Sequence, residues 1–242
     1  MKYAVIAGAL SLFSITAAAN QTSGLSYDYV EVGYAKMDVD GLDELSFDGY
    51  VVKLSKQLGD NWYLTGLYAS TADETLYSES ENYRNIYQND ELVGTSTLNL
   101  KRELDAELTR IEFGAGYIQQ LSAVTNIDYS INLGKLKYTT DLKITDEETF
   151  EGMVLSFSEY GDSDSNSAEI LAANVQVRHL LTEQFEVNAG LGYERLHDDE
   201  SDNNLVLQAG FNFALTDKAI LGASYRYVDE YADIAATLRY YF

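Results

Sequence analysis

ADIAATLRYYF, residues 232 to 242, alternates in chemistry with a period of two. Ile234, Ala236, Leu238, Tyr240 and Phe242 form an apolar row with an aromatic end; Asp233, Ala235, Thr237, Arg239 and Tyr241 form a mostly polar one. Successive side chains of a strand point to opposite faces, so the two rows meet different surroundings. A soluble sandwich could hold one such strand. A chain built of them, carried behind an export signal, reads as a membrane barrel.

The other end of the sequence supplies that signal. Met1-Lys2 gives a positive start, Tyr3 to Ile15 an apolar run, and Ala17-Ala18-Ala19 a small-residue cleavage site. This predicts a secretory signal peptide over residues 1–19 and a single mature domain over 20–242. A membrane anchor is the weaker reading, because the run is short of the roughly 20 apolar residues a spanning helix needs. No later segment approaches that length, so a mature chain in a membrane must cross it as a closed barrel.

Composition agrees. The chain has 20 Tyr, 17 Gly and no Pro or Cys, so no strand lacks an amide to a proline and no disulfide forms. The net charge is −23, and removal of Lys2 with the signal peptide takes it to −24. Such acidity excludes nucleic acid as a partner, since a phosphate backbone needs Lys and Arg. No motif implies a cofactor.

A repeat organises the rest. Short polar turns follow Leu58, Leu121, Leu181 and Leu215 and lead into Trp62, Ile127, Phe185 and Ala219, with leucine spacings of 63, 60 and 34 residues. Longer connections lie between them: Asp38 to Ser46, Ala72 to Asp105, Asp141 to Ser167, His197 to Asn203 and Asp229 to Tyr231. Short turns on one side and long loops on the other is the layout of outer-membrane barrels. The count predicts an all-β, closed antiparallel up-and-down barrel of ten strands, with eight as the alternative. The expected strands are Tyr27–Lys36, Phe47–Gln57, Trp62–Ser70, Ala106–Gln119, Ile127–Tyr138, Ala168–Leu180, Phe185–Leu196, Asn204–Ala214, Ala219–Val228 and Ala232–Phe242. Alternation holds along most of them: Phe185, Val187, Ala189, Leu191 and Tyr193 oppose Glu186, Asn188, Gly190, Gly192 and Glu194.

The opening Ser26-Tyr-Asp-Tyr-Val-Glu-Val-Gly-Tyr34, the turns Gly59-Asp-Asn-Trp62 and Glu183-Gln-Phe185, and the terminal Phe242 give the mature chain a resemblance. It resembles the small Gram-negative outer-membrane β-barrels of the OmpA/OmpX-like type, above all a ten-stranded group among them. The resemblance implies an outer-membrane location with periplasmic termini and contact with membrane lipid and lipopolysaccharide. It also implies recognition of Leu238, Tyr240 and Phe242 by the barrel-assembly machinery. It carries no catalytic residue over.

Alternation places Lys53, Arg110, Arg178, Arg226 and Arg239 in the lumen with Glu31, Glu112, Asp128, Glu186 and Glu194. Equal numbers of opposite charges in a narrow space should pair, because unpaired buried charges are costly. The favoured reading is a self-neutralised plug; the alternative is a narrow channel for small ions or solutes. The expected loops hold 29 of the 39 acidic residues. That count takes the loops with their flanking residues, over 38–48, 72–105, 141–169, 197–203 and 229–233. They read as a solvated rim, with divalent bridging to lipopolysaccharide or capture of a surface ligand as the functional alternative. Asp162 to Glu169 alternates oxygen ligands but lacks the glycine and glutamate spacing of a calcium loop, so no metal site is assigned. Two histidines offer little for catalysis: His179 reads as an interface anchor, and His197 beside Asp198 and Asp199 lacks a serine nucleophile motif. The chain is read as a non-enzyme. Its expected role is at the surface, in envelope integrity, adhesion or resistance. Trp62, Tyr63, Phe185, Tyr240 and Phe242 on the turn side, and Tyr34, Tyr68, Tyr193, Tyr225 and Tyr227 nearer the loops, read as interfacial belts.

Overall fold

A sheet with one apolar and one polar face, and no second layer to cover either, can satisfy both by closing into a ring in lipid. The computed structural model describes residues 25–39, 46–198, 201–229 and 231–242, and in it ten strands close in this way. The signal peptide expected over residues 1–19, residues 40–45 of the first connection, and Asp199 fall outside the described residues. The strands are β1 (Tyr29–Val39), β2 (Phe47–Leu58), β3 (Trp62–Gln88), β4 (Glu91–Ser122), β5 (Thr125–Phe150), β6 (Met153–Leu180), β7 (Phe185–His197), β8 (Ser201–Ala214), β9 (Ala219–Val228) and β10 (Tyr231–Tyr241). Each is antiparallel to the next, and β10 pairs with β1 from Tyr29↔Tyr241 to Val39↔Tyr231.

Two of the short turns are built alike. In Leu181-Thr-Glu-Gln-Phe185 the Leu181 amide donates to the Phe185 carbonyl at 2.8 Å, and the Thr182 hydroxyl accepts from the amides of Gln184 and Phe185. Leu215-Thr-Asp-Lys-Ala219 repeats this bond for bond through Thr216. A threonine hydroxyl that mimics a backbone turn explains why these segments reverse the chain without proline.

The outward row is apolar and bare: Phe113 is 69% exposed, Leu133 62% and Leu191 60%. The shortest strand, ten residues, reaches about 25 Å at a rise of about 3.3 Å and a tilt of about 40°, the height of a lipid-facing band. Belt aromatics pair at the turn side, with Trp62 edge-on to Tyr117 at 5.2 Å and Phe185 near Phe211 at 5.9 Å. Tyr63 is a correction. It belongs to the inward row, packs on Tyr27 at 5.1 Å, and lies over Gly116 rather than in the belt.

The two longest connections are also corrected. Ala72 to Asp105 and Asp141 to Ser167 are not loops; they are strand, so that β3 to β6 rise beyond the barrel as a four-stranded sheet. The part of β3 past Ala72 adds about 50 Å of strand at about 3.3 Å per residue. Both hairpins end in two-residue tips with positive φ at each central residue: Asn89 (54°) and Asp90 (66°), then Glu151 (50°) and Gly152 (81°). Those are type I′ turns, whose twist matches that of the strands they join. Consequently Asp162 to Glu169 is extended strand and cannot wrap a cation as a calcium loop does.

Candidate functional site

Inward parity along the ten strands builds the lumen in layers. At the turn side the chain before β1 folds into the mouth: Leu25, Ser26, Tyr27 and Asp28 are all buried. The strand expected from Tyr27 therefore starts two residues later. Tyr27 stacks under the Arg178 guanidinium at 4.6 Å and donates its phenol proton to Asp128. Arg178 holds Glu186 through two bonds of 2.8 and 3.0 Å, the bidentate geometry a planar guanidinium favours. Asp28 accepts from the Gln57 amide at 2.7 Å and pairs with Lys56 at 3.3 Å.

Alongside, Glu31 is shared between Arg239 at 2.7 Å and Lys53 at 3.4 Å, and Arg239 lies over the Tyr29 ring at 4.2 Å. Further toward the hairpins, Glu194 is fully buried and collects Arg110, Arg226 and the Tyr231 phenol, each at 2.5 Å. Arg110 also binds Glu112, and Arg226 reaches Asp233 at 3.4 Å. All ten charges expected in the lumen lie in it, in these three clusters. Tyr27, Asp28, Tyr29, Tyr231 and Asp233 complete them and were not singled out from sequence. The signal for Tyr231 and Asp233 was present, since both share the parity of Arg239.

Beside the Glu194 cluster the interior turns apolar. Phe47, Val206 and Val228 are 0% exposed, and with Met37, Ala106, Leu108 and Tyr231 they form one packed cluster joined by Val39, Leu136 and Tyr138. These residues come from seven of the ten strands, so the cluster spans the lumen. Fully buried apolar side chains exclude water from that level.

Between the ion clusters lies a polar cavity of about 240 Å³. Its wall is made by a repeated device. Asn132 lies over Gly114, Asn174 over Gly192, Gln208 over Gly190, Asn188 over Gly210 and Asn212 over Gly222, and each pair is directly opposite across two neighbouring strands. A methyl group on any of these glycines would crowd or overlap the amide or the adjoining backbone. The glycines thus let the amides lie flat along the wall, an alternation of small and large that fits a narrow barrel.

On the projecting sheet, Arg84, Glu148, Ser96 and Ser156 form a row across all four strands, with Arg84 Nε donating to Glu148 at 2.6 Å. The hydroxyl of Ser96, then the Arg84 guanidinium and Ser156, hold the Glu148 carboxyl below its ordinary range. At the foot of the sheet, Glu74, Glu103 and Asp105 bring carboxylate oxygens within 4.8 Å of one another, the donor chemistry of a hard divalent cation. Lys101 stands 3.3 Å from Glu103. His179 Nδ1 is 2.8 Å from Thr125 Oγ1 at the turn-side edge. His197 Nδ1 is 2.7 Å from Ser201 Oγ, a contact the sequence did not reveal.

A closed antiparallel ring with an apolar exterior and a charged, amide-lined interior defines an outer-membrane-type β-barrel. Neither a protein-family model nor a curated protein sequence matches the chain. Among solved structures it is similar to the attachment invasion locus protein Ail of Yersinia pestis, at 15% identity and a TM-score of 0.37 over 88% of this chain and 95% of that one. It is similar to Neisserial surface protein A at 14% and 0.36, over 90% and 98%. It is also similar to the outer membrane protease OmpT from Escherichia coli at 8% and 0.45, over 91% and 100%. Likeness at this level assigns no activity; the fold class rests on the chain's own ring of strands and the chemistry of its two faces.

Proposed function

We propose that this chain is an integral outer-membrane protein of a Gram-negative envelope and acts through its projecting sheet, in adhesion, resistance or envelope integrity. The reading is carried by a contrast within one molecule. The lumen is filled across its width by Phe47, Val206, Val228 and their neighbours, while β3 to β6 continue well beyond the barrel. A barrel that spends this much ordered sheet outside the membrane and packs its interior is suited to contact rather than passage.

In this reading residues 1–19 are removed on export, and the turn side with both termini faces the periplasm. The sheet faces the exterior. Leu238, Tyr240 and Phe242 are presented to the barrel-assembly machinery, and the ten lumen charges hold the barrel rigid. Asp48, Glu107 and Asp141, with the Glu74 group, meet lipopolysaccharide phosphates through divalent cations. No residue is assigned to catalysis. His197 is exposed and its imidazole contacts the Ser201 hydroxyl.

Replacing residues 76–103 and 143–161 with two-residue Asn-Gly turns tests the proposal, since Thr75↔Leu104 and Leu142↔Asp162 are already paired and the barrel is left whole. Cells carrying the trimmed protein should keep its outer-membrane level and lose attachment to host matrix or survival in serum. Attachment and survival unchanged by trimming would reject the surface role. A narrow channel for small ions or solutes is the second reading, supported by the polar cavity, and it predicts conductance.

A further inference from the structure

Space in a packed barrel interior is unusual enough to need a cause. Here the cause is built in, because five cross-strand glycines hold five carboxamides flat against the wall and keep the lumen open between the ion clusters. We propose that this cavity is a binding site for a small neutral hydroxylated molecule, a polyol of about the size of glycerol, with water as its competitor. The inference is independent of the surface role.

Charge argues first. The ionised groups around the cavity are already engaged: Glu31 with Arg239 and Lys53, Arg178 with Glu186, Glu112 with Arg110, and Arg226 with Glu194, while the remaining carboxylate, Asp128, accepts from the Tyr27 phenol. An entering ion would lose its hydration and find no free counter-charge, so ions are disfavoured. The amides differ. Gln176 donates to Asn188 at 2.9 Å, whereas Asn132, Asn174 and Gln208 face the cavity with donors and acceptors both on offer. A carboxamide presents two N–H donors and an accepting oxygen, and a hydroxyl both gives and takes a hydrogen bond. Neutral hydroxyls are therefore the chemistry this wall fits. Volume sets the size: about 240 Å³ holds about eight water-sized groups at about 30 Å³ each, below the range of drug-sized pockets. Access lies at the turn side, where Tyr27 of the segment before β1 closes the mouth with its ring rather than with a strand.

The probe is glycerol, titrated into the refolded protein in detergent micelles while the side-chain amide signals of Asn132, Asn174 and Gln208 are followed by NMR. Asn166 and Asn203, on the hairpin side, report general cosolvent effects, and glycerate is the charged comparison. The expected result is saturable shifts at the three cavity amides alone, with glycerate at least about tenfold weaker. Asn174→Leu should weaken glycerol about tenfold, the value of one hydrogen bond to a bound hydroxyl. Should that variant fail to fold, the comparison of glycerol with glycerate on the unaltered protein still decides. Cavity amides drifting in step with Asn166 would mean that the cavity holds water only, and equal binding of glycerate would refute the neutral selection.

Discussion

Glu194 is the most exacting test of how the lumen is held. Its carboxylate is fully buried and is the meeting point of two guanidinium groups and a phenol, each at 2.5 Å. Glu194→Gln keeps the shape and removes the charge, leaving Arg110 and Arg226 beside each other with their shared counter-ion gone. Removing one partner of a buried ion pair costs about 3–5 kcal/mol. The low end applies here, because Arg110 retains Glu112 and Arg226 retains Asp233 at 3.4 Å. About 3 kcal/mol is a factor of roughly 100 in the folding equilibrium. With an m-value of about 2–3 kcal/mol/M, the urea midpoint should fall by about 1–1.5 M. The assay is reversible urea unfolding in lipid vesicles, followed by tryptophan fluorescence from Trp62, the single tryptophan. Adding Arg226→Met to the glutamine variant should recover part of the loss, because one stranded charge is then gone. A Glu194→Gln barrel within about 0.5 kcal/mol of the parent, the range of an ordinary surface change, would refute this account of the lumen.

Three further outcomes follow from other parts of the molecule. Glu148 is held below its ordinary carboxylate range, so its contribution to the hairpin row is present above the unfolded value, about 4.3, and is lost as pH falls through the folded value. Amide protection at residues 84–96 and 148–156, taken relative to the intrinsic exchange rate at each pH, should stay constant from neutral pH to about 5 and fall below about 4, whereas Glu148→Gln should be poorly protected at neutral pH; equal protection in both proteins would contradict this. Gly192→Val pushes Asn174 off the wall and should destabilise the barrel by about 1–3 kcal/mol in the same urea assay, against little change for Gly161→Val on the open sheet. Phe242→Ser should lower the outer-membrane level in cells while leaving in-vitro refolding nearly intact; equal loss in both settings would make Phe242 structural rather than an assembly signal.

The barrel itself was legible because its strands carry contrast. Over residues 185–193 of β7, 205–213 of β8 and 232–240 of β10 every second residue is apolar, and four similar turns set the count. Parity alone singled out the ten charges assigned to the lumen. The projecting sheet was hidden for the opposite reason. Ser78-Glu-Ser-Glu81 is polar on both faces, as a strand in water can be, and only the ladder to β4 makes it strand. The tips Asn89-Asp90 and Glu151-Gly152 were the available signal. The apolar level of the lumen was also hidden: Met37, Phe47, Val206 and Val228 share the parity of the lumen charges, and no single strand tells at which height the interior dries out. The amide-over-glycine pairs need register between strands, which lies beyond any one stretch of sequence.

A packed lumen and a surface role stand or fall together. Single-channel recording of the refolded protein in a salt-bathed planar bilayer tests them most directly. A lumen sealed by the apolar cluster gives a flat baseline in the intact protein, with steps appearing only when that cluster is opened by Phe47→Ala together with Val206→Ala. Steady large openings in the unaltered protein would contradict both.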